Sequence, residues 1–219
     1  MKNRTFIPGA DLLKFQGPFR SALDIVLASA SPRRQALLTS LGISFQVIPP
    51  RFKEPPPEPG RQADDYALFL AREKAREVAA KKPASLVMAA DTLVVLGETI
   101  MGKPASEAGA LDMLKRLQGN THLVITAVCF QHGAENTEKS IICRTYVEMI
   151  PAEERVLAQY VKTGEPADKA GAYAIQGSGA FLVHALRGSY TNVVGLPLAE
   201  VCSALLEMNV IRLSCQSQP

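Results

Sequence analysis

The sequence predicts an α/β fold in which helices cover a central, mixed sheet within one domain. Segments with the apolar spacing of helices alternate along the chain with short apolar runs that are typical of strands. The chain has 219 residues, of which 47% are hydrophobic and 21% are charged. It is therefore long and apolar enough to bury one large core.

The order of the elements follows from these two patterns. Apolar stripes that begin near a capping residue or proline, or that end near glycine, predict helices over residues 32–41, 64–82, 110–118 and 151–163, and from Pro197 onward. Strand patterns lie at residues 25–27, 45–48, 85–96, 122–130 and 141–149, and short strands are expected in the glycine-rich stretch that ends at Gly195. A proline cluster at residues 55–59 predicts a loop.

The start of the first helix carries two unexpected cations. Ser31 is a good N-cap and Pro32 suits the first helical position, so Arg33 and Arg34 fall in the first turn. The helix dipole disfavours a cation there by about 0.3–1 kcal/mol. A phosphate bound at the helix N-terminus would account for both arginines. The alternative is that both side chains extend into water.

A carboxylate interrupts the most apolar strand. Asp91 lies in the middle of the run VMAADTLVV, where a buried charge needs a partner. It is either hydrogen-bonded to backbone at a strand end, or it serves as a general base or as a ligand of a hard divalent cation. Glu54, on the loop after the second strand, is the expected second carboxylate.

Three further polar residues are candidates for a phosphate or base contact. Lys74 interrupts the apolar stripe of the helix over 64–82, so its ammonium group reaches either water or a charged pocket. Lys103 is the lysine of a near-match, over residues 97–104, to a phosphate-binding loop. Pro104 rules this motif out, which leaves Lys103 as a loop lysine or a mobile phosphate contact. Gln176 lies in the glycine-rich stretch, and its amide can both donate to and accept from a nucleobase edge.

Several classes of function are disfavoured by composition. A net charge of +3, with dispersed basic residues and no tryptophan, argues against a nucleic-acid polymer as partner. No apolar run is long enough for a membrane span, and residues 1–24 have no signal-peptide core, so we expect an N-terminal extension before a domain over 25–219. The four dispersed cysteines fit reduced thiols in a cytoplasmic protein.

The assembled motifs closely resemble the Maf family of nucleoside triphosphate pyrophosphatases. The resemblance runs from about residue 25 to the last helix and rests on LASASPRRQALL, LAREKA, AADTLVV, GKP, DKAGAYAIQG and GSYTNVVGLP, in this order. It implies a twisted sheet with a cleft between two lobes, a divalent cation (Mg²⁺ or Mn²⁺), and attack of water on the α-phosphorus to give a monophosphate and pyrophosphate. The extension before residue 25 has no counterpart in the family pattern.

The resemblance also implies roles for individual residues. Asp91 falls on the proton acceptor of the family. The positions at which the family handles phosphate and metal correspond to Ser29, Arg33, Arg34, Glu54, Lys74 and Lys103. Within the family, the sequence most resembles the branch that acts on dTTP and UTP, because Arg33, Thr92 and Gln176 match the positions associated with the choice of substrate. The alternatives are a pyrophosphatase for modified purine or 7-methylguanosine triphosphates, and a non-catalytic module that senses nucleotides or regulates division. Relatives are often dimers, which makes a homodimer an expected assembly.

Overall fold

A mixed seven-stranded sheet forms the centre of the molecule. The computed structural model describes residues 17–214, so residues 1–16 of the expected extension and Cys215 lie outside the described part. The strands are β1 Phe19–Ser21, β2 Ile25–Ala28, β3 Gln46–Val47, β4 Leu86–Leu96, β5 Thr99–Met101, β6 Thr121–His132, β7 Thr137–Met149, β8 Val183–Arg187 and β9 Ile211–Leu213. The helices are α1 Pro32–Thr39, α2 Ala63–Ala79, α3 Glu107–Leu117, α4 Glu154–Val161, α5 Tyr190–Val194 and α6 Leu198–Glu207.

The strand order confirms the predicted mixed sheet. The sequence of neighbours is β3-β2-β4-β6-β7-β8, and β5 pairs with the second half of β4. β2 is parallel to both of its neighbours, whereas β4, β6, β7 and β8 pair antiparallel. Between residues 17 and 214, no helix is both long and apolar enough to cross a membrane.

One edge of β4 is open over a short interval, and this opening positions the cleft. The pairing with β2 ends where Ala28 lies opposite Ala89, and the pairing with β5 begins only where Met101 lies opposite Val94. In between, the chain leaves β2 and enters α1. Ligands of α/β proteins commonly bind at such a carboxyl end of a strand, where neighbouring chains diverge.

The two faces of β4 pack against different helices. Val87, Ala89 and Leu93 pack on the α2 side, whereas Leu86, Met88 and Ala90 pack with α6 on the other side. Because successive side chains of a strand point to opposite faces, Asp91 projects toward α2 and Thr92 projects away from it. The strand thus delivers two adjacent polar residues to the two walls of the opening.

The last residues of the predicted extension belong to a small second sheet. Phe19, Arg20 and Ser21 pair antiparallel with Leu213, Arg212 and Ile211, which join β1 to β9. The described end of the extension is therefore attached to the domain by strand pairing. This contact was not predicted, because each strand has only three residues and the two lie at opposite ends of the sequence.

The glycine-rich stretch differs from the short strands that the sequence predicts. It forms short 3-10 segments at Glu165–Asp168, Ala170–Ala172 and Ser178–Leu182, then β8 and the short helix α5. Positive backbone φ angles at Gly164, Gly171 and Gly177 turn the chain repeatedly, so an extended strand cannot continue through them. The prediction of several short strands here was wrong, and β8 is the one strand found within this stretch.

Candidate active site

The open interval of β4 leads into a cleft of about 820 Å³, a volume typical of small-molecule sites. Its walls come from the β2–α1 turn, the loop before α2, the middle of β4 and the segment between α4 and β8. All the site residues predicted from sequence line this one cleft: Ser29, Arg33, Arg34, Glu54, Lys74, Asp91, Thr92, Lys103 and Gln176. Residues that lie up to 147 positions apart (Ser29 to Gln176) are therefore brought to one surface.

Lys74 joins the two predicted carboxylates. Its Nζ lies 2.5 Å from Asp91 Oδ1 and 2.6 Å from Glu54 Oε1. The Lys74 and Asp91 side chains are only 11% and 9% exposed, whereas that of Glu54 is 47% exposed. The lysine that interrupts the apolar stripe of α2 therefore reaches a charged pocket rather than water, and the buried carboxylate of β4 has the partner that its burial requires.

Two contacts fix the loop that carries Glu54. The Glu77 carboxylate of α2 accepts hydrogen bonds from the backbone N–H groups of Arg51 and Phe52, at 2.7 and 2.8 Å. The Tyr66 hydroxyl donates to the carbonyl of Pro55 at 2.6 Å. Because these contacts lie on both sides of Glu54, a loop residue is held beside Lys74 although the proline cluster forms no regular structure.

The charges around Glu54 keep it ionised. Burial raises the pKa of Glu54, but the hydrogen bond from Lys74 and the positive charges of Lys74, Lys103 and Arg34 lower it by more, so the net shift is downward. A carboxylate is thus maintained next to a cluster of cations. Such a group can bind a metal ion or orient a positively charged partner.

Arg34 is anchored to the protein by three hydrogen bonds. Its Nε donates to the carbonyl of Gly195 at 2.7 Å, one terminal nitrogen donates to the carbonyl of Ala90 at 2.8 Å, and the other donates to Thr92 Oγ1 at 2.9 Å. Thr92 Oγ1 also lies 3.0 Å from Thr126 Oγ1. Two of the five N–H groups of Arg34 remain for other partners. The phosphate contact predicted for Arg34 stays a prediction. Its side chain also has a structural role, because it connects the middle of β4 to Gly195.

The N-terminus of α1 faces the same cleft. Ser29 Oγ accepts the backbone N–H of Ser31 at 3.1 Å, whereas the Ser31 side chain makes no capping hydrogen bond. The first turn contains no acidic residue. Arg33 and Lys103 line the cleft as well and add positive charge beside these backbone N–H groups. This combination is suited to an anionic ligand such as phosphate.

The carboxylate pair fits a hard divalent cation. Two carboxylates, on Glu54 and Asp91, converge on the Lys74 ammonium group. Among residues 17–214, no cluster of three or more His, Cys, Asp or Glu residues is arranged as a metal site. Mg²⁺ is commonly held by one or two carboxylates together with phosphate oxygens of the substrate, so a pair of carboxylates in an anion-binding cleft meets that need.

One histidine and two of the cysteines are buried in the core. His122 Nε2 lies 2.8 Å from the Tyr173 hydroxyl, and burial lowers the pKa of His122 to about 4, so this histidine is neutral near pH 7. Burial raises the pKa of the Cys129 and Cys143 thiols to about 11. These thiols therefore stay protonated and are poor nucleophiles.

Sequence analysis did not single out several polar residues of the site. Glu165, Asp168 and Lys169 line the cleft, and Thr126 lies behind Thr92. The glycine spacing in the stretch after Lys169 was a usable signal, because it indicates a close approach to the backbone. The groups that approach are side chains of the protein itself, the Glu165 carboxylate at Gly177 and the Tyr160 hydroxyl at Gly179.

Fold and site together define an α/β protein whose cleft places cations and a helix N-terminus beside a pair of carboxylates. The chain belongs to the Maf-like protein family, whose model matches residues 24–208. It is 50% identical over 202 residues to a dTTP/UTP pyrophosphatase of Nitratidesulfovibrio vulgaris, with 91% of this chain and 94% of that protein covered. It is 44% identical over 200 residues to a dTTP/UTP pyrophosphatase of Oleidesulfovibrio alaskensis, covering 91% of each chain. A dTTP/UTP pyrophosphatase of Myxococcus xanthus is 48% identical over 183 residues, with 84% and 91% covered.

Proposed function

We propose that this protein is a metal-dependent nucleoside triphosphate pyrophosphatase that hydrolyses dTTP and UTP to the monophosphate and pyrophosphate. The observation that carries the proposal is the contact of Lys74 with both Asp91 and Glu54 inside the cleft that Arg33 and Lys103 also line. The names of the relatives, which are 44–50% identical over most of the chain, support the substrate class. A homodimer and a cytoplasmic location stay predictions.

The charged residues of the cleft divide between binding the triphosphate and holding the cation. Arg33, Lys103 and the N-terminus of α1 bind the triphosphate and offset its negative charge. Glu54 and Asp91 would hold the divalent cation. When bound, the cation would neutralise phosphate charge and polarise the phosphorus–oxygen bonds. Lys74 orients both carboxylates through its buried ammonium group. Thr92 and Gln176 face the remaining part of the cleft and are proposed to contact the nucleoside.

The hydrolytic step needs one proton acceptor. Water attacks the α-phosphorus, a new oxygen–phosphorus bond forms, and the bond between the α-phosphorus and the oxygen that bridges it to the β-phosphorus breaks. Asp91 orients the water and accepts its proton, while pyrophosphate leaves with the electron pair of the broken bond. Positive side chains stabilise the charge that moves onto the leaving group. The protein forms no covalent bond to the substrate in this scheme.

A nucleotide panel tests the proposed activity. Purified protein is incubated with Mg²⁺ or Mn²⁺ and with each common nucleoside triphosphate, with 7-methylguanosine triphosphate and with modified purine triphosphates, and pyrophosphate is measured. We expect kcat/KM to be highest for dTTP and UTP, and we expect the activity to disappear with EDTA and return with excess metal. Preference for a purine substrate would contradict the specificity. Nucleotide binding with no pyrophosphate release from any substrate would favour a sensing module.

A further inference from the structure

Glu165 forms a hub of hydrogen bonds on the wall of the cleft. Its Oε2 accepts from the Tyr160 hydroxyl and from the backbone N–H of Gly179, both at 2.8 Å, and its Oε1 accepts from the N–H of Ser178 at 3.0 Å. The Tyr160 hydroxyl in turn accepts the N–H of Ala174 at 3.2 Å. Three backbone amides between residues 174 and 179 are therefore held by one carboxylate and one phenol.

The backbone of this segment is shaped to receive those two side chains. A Cβ atom at Gly177 would overlap the Glu165 carboxylate, and a Cβ at Gly179 would overlap the Tyr160 hydroxyl. Gly177 also has a φ of 144°, which is unfavourable for other residues. These glycines thus allow a close approach by side chains of the protein, and the approach fixes the path of residues 174–179.

Gln176 lies within this held segment, between the anchored residues Ala174 and Ser178. Its side chain is exposed and lines the cleft, as does Glu165. Within the described residues, no hydrogen bond between Gln176 and another part of the protein is found, so the placement of its amide depends on the backbone beneath it. That backbone depends on Glu165 and Tyr160.

We propose that Glu165 is a positioning residue for base recognition, which acts by holding the 174–179 segment so that Gln176 meets the edge of a pyrimidine base. The inference rests on the proposed function, because it assigns a role at the nucleoside end of that same cleft. Glu165 itself contacts neither phosphate nor base in this account. Its removal therefore changes affinity for the nucleoside and the choice of base, and leaves the chemical step at Asp91 intact.

The ionised state of Glu165 agrees with this geometry. Burial raises the pKa of Glu165, but the hydrogen bonds from Tyr160 and from the N–H groups of Gly179 and Ser178 lower it by more, so the net shift is downward. A carboxylate accepts all three hydrogen bonds, whereas a neutral amide would present N–H groups to at least one of these donors. Glu165→Gln is therefore a nearly isosteric change that disrupts the support of the segment.

The test compares Glu165→Gln with wild type and with Glu154→Gln, a control at an exposed glutamate of α4 that pairs with Lys115. In Glu165→Gln we expect KM for dTTP to rise about tenfold and kcat to stay within about twofold. We expect the preference for dTTP over dCTP, as a ratio of kcat/KM, to fall at least about fivefold. Inorganic tripolyphosphate, which has no base, should inhibit all three proteins with the same inhibition constant.

Two further variants keep the test independent of folding. Tyr160→Phe removes only the hydroxyl and is expected to shift KM in the same direction by about threefold, and Glu165→Asp should keep part of the dTTP preference. Thermal melting identifies any variant that fails to fold. If wild type is active but Glu165→Gln and Tyr160→Phe keep the wild-type KM and dTTP preference, the inference about Glu165 is overturned and the proposed function stands. A weaker tripolyphosphate inhibition, matching the loss of dTTP affinity, would also overturn the inference about Glu165. A wild type that releases no pyrophosphate overturns the proposed function as well.

Discussion

Asp91→Asn is expected to reduce kcat for pyrophosphate release from dTTP at least about a thousandfold, within the usual range for removal of a general base. Asparagine keeps the shape of the side chain and an oxygen that can accept the hydrogen bond from Lys74, so the cleft should retain its form. It loses the charge that holds a cation and the ability to accept a proton. We therefore expect KM for dTTP to stay within about tenfold of wild type.

The matched control is Asp112→Asn on the exposed face of α3, which should retain wild-type kcat and KM. Steady-state pyrophosphate assays with both variants, with circular dichroism to compare their folding, provide the measurement. A folded Asp91→Asn protein with near-native kcat would show that another group accepts the proton. A loss confined to KM would show that Asp91 serves only in binding.

Lys74→Met is expected to destabilise the protein by about 3 kcal/mol, because removal of one partner from a buried ion pair leaves a buried charge uncompensated. Methionine matches the apolar neighbours of Lys74 on α2, so the loss is electrostatic rather than a packing defect. Two carboxylates would then face each other without the ammonium group that separates them. Urea denaturation at pH 7 measures the change in the free energy of unfolding.

The control for this variant is Lys115→Met, which removes a lysine of α3 from an exposed pair with Glu154. Its expected effect is below about 0.5 kcal/mol, since exposed ion pairs contribute little. Mg²⁺ should stabilise Lys74→Met more than wild type, because a cation can replace the lost ammonium group between the carboxylates. Equal destabilisation by the two substitutions, or no response of Lys74→Met to Mg²⁺, would contradict the assigned cation site.

The residues of the proposed catalytic centre were predictable from sequence because they violate local patterns. Asp91 interrupts an apolar strand, Lys74 interrupts the apolar stripe of a helix, and Arg33 and Arg34 lie at the unfavourable end of a helix dipole. Each violation costs free energy unless a partner compensates for it. The structure supplies the partners of Lys74, Asp91 and Arg34. Periodicity likewise predicted the long strands and helices around them.

Other features of the structure were not predictable at the level of individual residues. Glu165 follows a glycine and precedes a proline, which is an ordinary composition for a turn, and its role arises from contacts with residues 13 and 14 positions further along. The pairing of β1 with β9 joins segments almost 200 residues apart. The glycine-rich stretch was predicted as strands because glycine spacing does not distinguish strands from turns with positive φ angles. Such features depend on tertiary contacts, which residue patterns do not encode.

Hydrolysis of dTTP in water enriched in ¹⁸O tests the central claim most directly, because the claim is that the cleft directs water to the α-phosphorus. With wild-type protein and Mg²⁺, mass spectrometry should find one labelled oxygen in the thymidine monophosphate and none in the pyrophosphate. Label in the pyrophosphate would mean attack on the β-phosphorus, and labelled orthophosphate with thymidine diphosphate would mean attack on the γ-phosphorus. Either result would contradict the assigned geometry of the site.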